Sequence, residues 1–356
     1  MKRIIFHHPV VVDGKSSGSQ IRPIKMLESF RKIGYEVDEV MGYVNERKQA
    51  IKKIKQNIEN GIEYDFLYSE SSTMPTALTQ SHHLPIAPFF DFNFFRFCKN
   101  NGIKIGLFYR DVYWVFDEYK ESLSYFKYQL AKYFYRFDLN MYNRYVDVLY
   151  LPSLKMNNYL PIEFKKEVVA LPPAIELKNI ENKSSKSIDF IYVGGVSSLY
   201  DLKLFSSVVY AYKDMGFYLC TRQNEWKNIQ DDYGQFQPTI YHLSGDALSE
   251  VYQKSDIAVY FIKPNELWGF AMGVKLFEYI SYKKPIIAIE GTAIGDFVQA
   301  NNIGWVIKYD KEELKRLLDY LEKNPQQIDE KVKNIEKITA THTWEARAKQ
   351  VAKELR

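Results

Sequence analysis

Cysteine is nearly absent: of 356 residues only Cys98 and Cys220 carry a thiol. They stand far apart without a ligand-type spacing, which argues against a disulfide framework or a thiolate metal site and leaves both as packing residues. Long apolar runs are missing too. No stretch approaches the ~18 to 20 residues of a membrane-spanning helix, and Ile4-Ile5-Phe6 meets His7 and His8 too soon for a secretion signal. A cytoplasmic protein is expected, at most touching the inner face of a membrane. The sequence has no G-x-G-x-x-G turn and no P-loop, so a dinucleotide or NTPase site lacks support. Its net charge of +4 is spread out with no dense Lys/Arg block, so no nucleic-acid partner is expected. A small anionic ligand or an anionic membrane surface would satisfy it.

What the chain has in quantity is aromatic residues, 28 Tyr and 23 Phe, within an ordinary 46% hydrophobic and 26% charged composition. A core is affordable throughout, and 356 residues exceed one ordinary core and suit two domains.

The order of elements follows from period and punctuation. Residues 3–6 read as a strand, 7–19 as a loop holding Gly14, Ser16, Ser17 and Gly18, 20–33 as a helix stopped by Gly34, and 36–40 as a second strand. Such a βαβ opening builds a parallel sheet. A charged helix over 45–60 and a strand over 64–69 follow. Glu70-Ser71-Ser72-Thr73 leaves that strand at its C-terminal end, where open α/β sheets place ligands. The same residues before Pro75 would serve equally as a helix cap. His82 and His83 lack a metal-ligand spacing and read as surface or capping residues.

Residues 88–99 read as a Phe-rich helix, and a strand over 104–109 ends at Arg110-Asp111. A carboxylate there can take a proton from an acceptor hydroxyl, or it can cap the next helix or pair with Arg110. The segment 119–145 reads as one long helix, its Tyr and Phe residues interleaved with Lys127, Lys132, Arg136 and Arg144. This suits core packing, the preferred reading, or an interfacial helix against anionic lipid. Strands at 148–151 and 168–171 close a first domain, 1–175. Pro172-Pro173 and the polar stretch 178–187 read as a linker. Strands at 188–193, 217–220, 239–243, 257–262 and 286–289, separated by helical segments, make a second parallel α/β domain, 185–340.

The stretch from Trp268 to Ile289 concentrates the chemistry. Gly269 and Gly273 free the backbone before a helix from Val274 to about Lys283, Lys284-Pro285 ends it, and residues 286–289 read as a buried parallel strand. A helix N-terminus facing a loop offers unpaired N–H groups and a partial positive charge to a phosphate. Lys275 adds a full charge. Glu278, three residues on, shares its face, while Leu276, Phe277 and Ile280 cover the packed side. A cation for a diphosphate and a carboxylate for a ribose diol would project together. A solvated surface ion pair, worth ~0.2 to 0.5 kcal/mol, is the alternative; the order loop, helix, strand favours the first reading.

Gly-Val-Lys-Leu-Phe-Glu-Tyr at 273–279, followed by Lys-Pro-Ile-Ile-Ala at 284–288, resembles the donor-site segment of bacterial GT-B glycosyltransferases of the group 1, family 4-like kind. There a P/G-x-K-x-x-E-Y helix is followed by G-x-P-V-V. Tyr192-Val193-Gly194-Gly195 is similar to the family's Y-V-G turn, and Ser255-Asp256-Ile257-Ala258-Val259 to its A-D-I-x-V strand. The resemblance covers 188–308 well and the N-terminal half in layout. It implies an α/β GT-B fold of two Rossmann-like domains whose parallel sheets face a central cleft, the first binding the acceptor and the second the nucleotide sugar. Residues 341–356, near Trp344, would form a helix returning to the first domain. It also implies a catalytic Lys275 on the diphosphate and Glu278 on the ribose, within a donor site of Gly194, Gly195, Gly273 and Val274 assisted by Arg222. Ser17, Gly18, Glu70 and Arg110 are expected on the acceptor side, with Asp111 as candidate base.

Two family features are missing. Counting back from Glu278, the E-x7-E pattern of retaining members meets Phe270, with Glu266 four residues earlier. The R-x4-K pair expected after Gly194-Gly195 is replaced by Ser197, Ser198 and Leu199. The chain then stands nearer to inverting members such as glucuronosyltransferases of exopolysaccharide assembly. No Asp-x-Asp pair of the metal-dependent GT-A kind occurs, so neither metal nor cofactor is expected. The activity implied is transfer of a sugar from a nucleotide-diphospho-sugar, UDP-sugars first, to a hydroxyl of a glycan or lipid-linked glycan in bacterial surface polysaccharide or glycoconjugate synthesis. The alternative is a noncatalytic sugar-nucleotide-binding subunit that supports a partner transferase.

Overall fold

The computed structural model describes residues 2–11, 18–176, 178, 187–197 and 200–356. The chain divides into two compact units, Met1–Pro173 with Trp344–Arg356, and Ala174–Thr343. The first runs β1 (Arg3–His8), α1 (Gly18–Lys32), β2 (Glu36–Met41), α2 (Val44–Glu59), β3 (Phe66–Glu70), α3 (Phe90–Asn100), β4 (Lys104–Phe108), α4 (Asp117–Glu121), α5 (Tyr125–Tyr145), β5 (Val148–Leu151) and β6 (Glu167–Ala170). The second runs β7 (Ile188–Val193), α6 (Lys203–Val209), β8 (Met215–Cys220), α7 (Gln223–Ile229), β9 (Thr239–Tyr241), α8 (Leu248–Lys254), β10 (Ile257–Tyr260), α9 (Val274–Ser281), β11 (Ile286–Ile289), α10 (Ala293–Asn301), β12 (Gly304–Ile307), α11 (Lys311–Lys323) and α12 (Gln326–Thr339). α13 (Trp344–Glu354) ends the chain and belongs to the first unit.

Each unit holds a parallel sheet, ordered β2-β1-β3-β4-β5-β6 in the first and β12-β11-β10-β7-β8-β9 in the second. The strands β3, β5, β7, β10 and β11 are buried along their whole length, and β5, β10 and β11 are the continuous apolar runs expected when helices cover both faces. The edge strands β2, β6, β9 and β12 are only partly covered. In both sheets the chain reverses its direction of travel once, between β1 and β3 and between β7 and β10. Crevices for ligands open beyond the C-terminal ends of strands at such points.

Within the first unit, α13 packs on α1. Arg347 donates to the carbonyls of Pro172 at 3.1 Å and Pro173 at 3.4 Å, and Gln350 donates to that of Ala170 at 3.1 Å. Gly106 leaves room for Leu355, whose Cδ1 would stand 2.7 Å from an added Cβ.

Several local expectations are corrected. His7 and His8 are not in a loop: they end β1 with buried side chains. His7 shares hydrogen bonds with Ser69 at 2.8 Å and Asp91 at 3.0 Å, and His8 donates through Nδ1 to the Glu70 carbonyl at 2.9 Å. The aromatic segment is two helices, because Ser122 and Ser124 break it: Ser122 Oγ donates to the Tyr119 carbonyl at 2.7 Å, and extended backbone at Ser124 starts α5. The donor-segment helix ends at Ser281, and Lys283 takes the left-handed conformation at φ 52°. β12 was not anticipated from sequence.

Candidate functional site

In the second unit, the loop after β7 and the helix that follows β10 meet at the point where the sheet reverses. Gly194 has φ +145°, a conformation a side chain resists, and an added Cβ would stand 2.1 Å from Lys275 Cε. The missing side chain is therefore where the lysine lies. Lys275 reaches Tyr192, donating to its hydroxyl at 2.6 Å, and its Nζ lies 4.0 Å from the ring centre of Tyr200. Tyr192 in turn donates to the Gly195 carbonyl at 2.9 Å. These neighbours are neutral, and burial pushes the Lys275 ammonium down to about 7, against pull from Glu278 and Glu225.

Gly273 is the N-cap of α9, extended at φ −73° and ψ 150°, with no side chain capping the helix and no acid in its first turn. The neighbouring helices differ: Thr292 caps α10 and Asp310 caps α11. The amides that open α9, beginning at Val274, thus retain donor capacity beside the Lys275 ammonium. Glu278 is part-buried one turn further on. Burial raises its carboxyl pKa, opposed by the Tyr252 hydroxyl and by the Lys275 and Lys178 charges. Tyr252, whose hydroxyl faces Glu278, is itself buried.

Arg222, the N-cap of α7, is open to solvent and pairs with Glu225. Glu225 also accepts from the Val196 amide at 3.1 Å and would press on a side chain at Gly195, 3.0 Å from an added Cβ. One carboxylate thereby fixes the glycine turn and tethers the exposed guanidinium. This unit brings together Gly194, Gly195, Arg222, Gly273, Val274, Lys275 and Glu278.

In the first unit, Glu70, Arg110 and Asp111 lie at the ends of β3 and β4. Glu70 has no exposed surface. It accepts from Arg22 Nε at 3.1 Å, from the Tyr68 hydroxyl at 3.0 Å and from Arg110 at 3.4 Å. Its carboxylate is consumed inside the fold. Arg22 lies flat on Phe108, 3.5 Å from the ring centre. Asp111 is part-buried, and its Oδ1 accepts from the Tyr113 amide at 3.4 Å. Burial raises its pKa and the Arg110 charge opposes the rise, the direction a proton acceptor near neutrality needs. Gly18 is the first residue of α1, and Ser17 lies outside the described residues. Among the described residues no group of three or more His, Cys, Asp or Glu is placed to hold a metal ion.

Residues 202–353 match the family model described as glycosyl transferase-like. The fold is similar to Anabaena HepE, crystallised with UDP and glucose, at TM-score 0.63 and 12% identity, covering 100% of this chain and 99% of that one. This chain has the GT-B glycosyltransferase fold. Two further GT-B neighbours are a glycosyltransferase from Rickettsia africae, at TM-score 0.64, 13% identity and 99% and 98% coverage, and WaaG, a glycosyltransferase involved in lipopolysaccharide biosynthesis, at 0.58, 13% and 99% of each chain. A search of curated proteins found no match.

Sequence reasoning missed four residues of the GT-B chain's candidate site: Tyr192, Tyr200, Glu225 and Tyr252. Tyr192 stood inside the Y-V-G turn, where the glycine drew attention, and Glu225 stood one helical turn after Arg222. Both spacings were visible. Nothing local marks Tyr200 or Tyr252.

Proposed function

We propose that the protein is a metal-independent GT-B hexosyltransferase. It moves a sugar from a nucleotide-diphospho-sugar, UDP-sugars first, to a hydroxyl of a glycan or lipid-linked glycan in bacterial surface polysaccharide or glycoconjugate synthesis, working at the cytoplasmic face of the membrane. The observation that carries this reading is the lysine at the sheet's switch point, held over Gly194 by Tyr192 beside an uncapped helix N-terminus. The UDP preference rests on the complexes of HepE with UDP and with UDP-glucose.

In this mechanism Lys275 and the first amides of α9 take up the charge that develops on the leaving diphosphate. Glu278 holds the ribose hydroxyls. The acceptor oxygen attacks the anomeric carbon as the bond to the diphosphate breaks, and Asp111 receives the acceptor's proton. The test is release of free nucleotide from a panel of UDP-, GDP-, dTDP- and ADP-sugars, with and without glycan and lipid-linked acceptors. Sugar appearing on one acceptor class supports the reading. Saturable donor binding without turnover on any acceptor would point instead to a noncatalytic subunit.

A further inference from the structure

The glycine turn after β7 has opposite charges on its two glycines. Lys275 Cε lies 2.1 Å from the Cβ that Gly194 lacks, and Glu225 Oε2 lies 3.0 Å from the Cβ that Gly195 lacks. A lysine belongs at a phosphate site. A carboxylate on the same turn does not, because it repels the anion that the lysine and the uncapped helix attract.

Glu225 keeps its place through specific contacts. It is the third residue of α7, where a glutamate ordinarily turns back to the amide of its own helix's N-cap residue. Glu225 reaches across to the turn instead: Oε2 accepts from the Val196 amide at 3.1 Å, and Oε1 accepts from Arg222 Nη1. The Glu225 side chain keeps 28% of its surface and that of Arg222 78%, so neither is locked into the core. The Lys275 ammonium feels the same carboxylate, but its hydrogen bond goes to Tyr192.

A turn amide, a guanidinium and a neighbouring ammonium are the donors that a phosphate takes up. Glu225 engages the first two and faces the third, and an ion pair this exposed is weak enough to exchange.

Resting on the donor reading above, we propose that Glu225 is a displaceable stand-in for a phosphate of the nucleotide sugar. Before the donor arrives it occupies the Val196 amide and holds Arg222. The diphosphate takes over both contacts, Glu225 turns out to solvent, and Arg222 joins Lys275 as a second cation on the phosphates. The residue thereby sets how tightly the site holds a diphosphate, substrate and product alike.

Calorimetric titration of UDP, uridine and inorganic pyrophosphate into wild type and Glu225→Gln tests the inference without turnover. The carboxamide keeps the shape and can still accept from Val196, but the charge is gone. UDP and pyrophosphate should bind the variant about five- to tenfold more tightly. Uridine, which has no phosphate, should bind both proteins alike. Arg222→Gln should weaken UDP binding more in the Glu225→Gln background than in wild type, because only there is the guanidinium unpaired beforehand. UDP binding that Glu225→Gln leaves unchanged or weakens, or an equal gain for uridine, would overturn this inference alone. Absence of UDP binding by wild type and variant would remove the donor reading and this inference with it.

Discussion

Lys275 donates to the hydroxyl of Tyr192 across 2.6 Å and across 83 residues of sequence. Its closest described neighbours are aromatic, and burial lowers its pKa to about 7. A diphosphate would favour the protonated lysine, so the donor should bind best where that form is present in the free protein. kcat/KM for donor is expected to fall as pH rises through about 7. Lys275→Met should lose this limb and about 10²- to 10³-fold in kcat. A full pH profile of both proteins is the check, and a variant that keeps the limb would assign it elsewhere.

The same lysine should oppose folding. Below about 7 it is protonated both folded and unfolded, and the folded protein bears the cost of enclosing the charge. Between about 7 and the ordinary 10.5 the unfolded chain binds the extra proton, so stability from this group rises with pH across that window. Lys275→Met should therefore melt higher than wild type at pH about 6, with the gain shrinking toward pH about 10. Thermal melts at both values measure it; a gain that grows with pH would contradict the burial argument.

Gly194→Ala should act through Lys275. The new Cβ would collide with the lysine's Cε and would occupy an unfavourable φ. Donor turnover should drop nearly as far as in Lys275→Ala, and the double variant should be little worse than either single one, since both remove one interaction. Additive losses in kcat/KM would show the glycine acting independently.

Glu278→Gln should weaken donor binding by about 1.5 to 3 kcal/mol, the range for hydrogen bonds to a charged group. The loss should largely vanish for a donor analogue whose ribose lacks both hydroxyls. Calorimetric titration of the two nucleotides separates the cases, and an equal loss for both would take Glu278 off the ribose.

The two carboxylates of the first unit should behave oppositely. Glu70→Ala leaves Arg22 and Arg110 without their buried partner and should cost about 3 to 5 kcal/mol of stability. Asp111→Asn should leave the melting temperature nearly unchanged, keep donor affinity and lower transfer about 10²- to 10⁴-fold. Denaturant titration beside an acceptor assay distinguishes them. Retained transfer in Asp111→Asn would remove it as the base.

Much of this architecture was legible because parallel strands buried on both faces are unbroken apolar runs: Ile286–Ile289 and Ile257–Tyr260 announce themselves. β12, Gly304–Ile307, did not, because a half-covered edge strand of four residues has neither a clear alternation nor a long run. Lys275 and Glu278 were legible from helix spacing. Tyr192 over Lys275 was not, since no periodicity links residues joined only by the sheet's crossover. Glu70 read as a polar residue leaving a strand; its burial depends on Arg22 from α1, 48 residues earlier.

The measurement that bears most directly on the central claim is calorimetric titration of UDP and a UDP-sugar into wild type, Lys275→Ala and Glu278→Ala. The account predicts saturable binding by wild type, weakened at least tenfold in each variant while both variants still unfold cooperatively. Binding of equal strength in all three proteins would contradict the site built on α9, and absence of binding to any nucleotide sugar by wild type would contradict the donor reading itself.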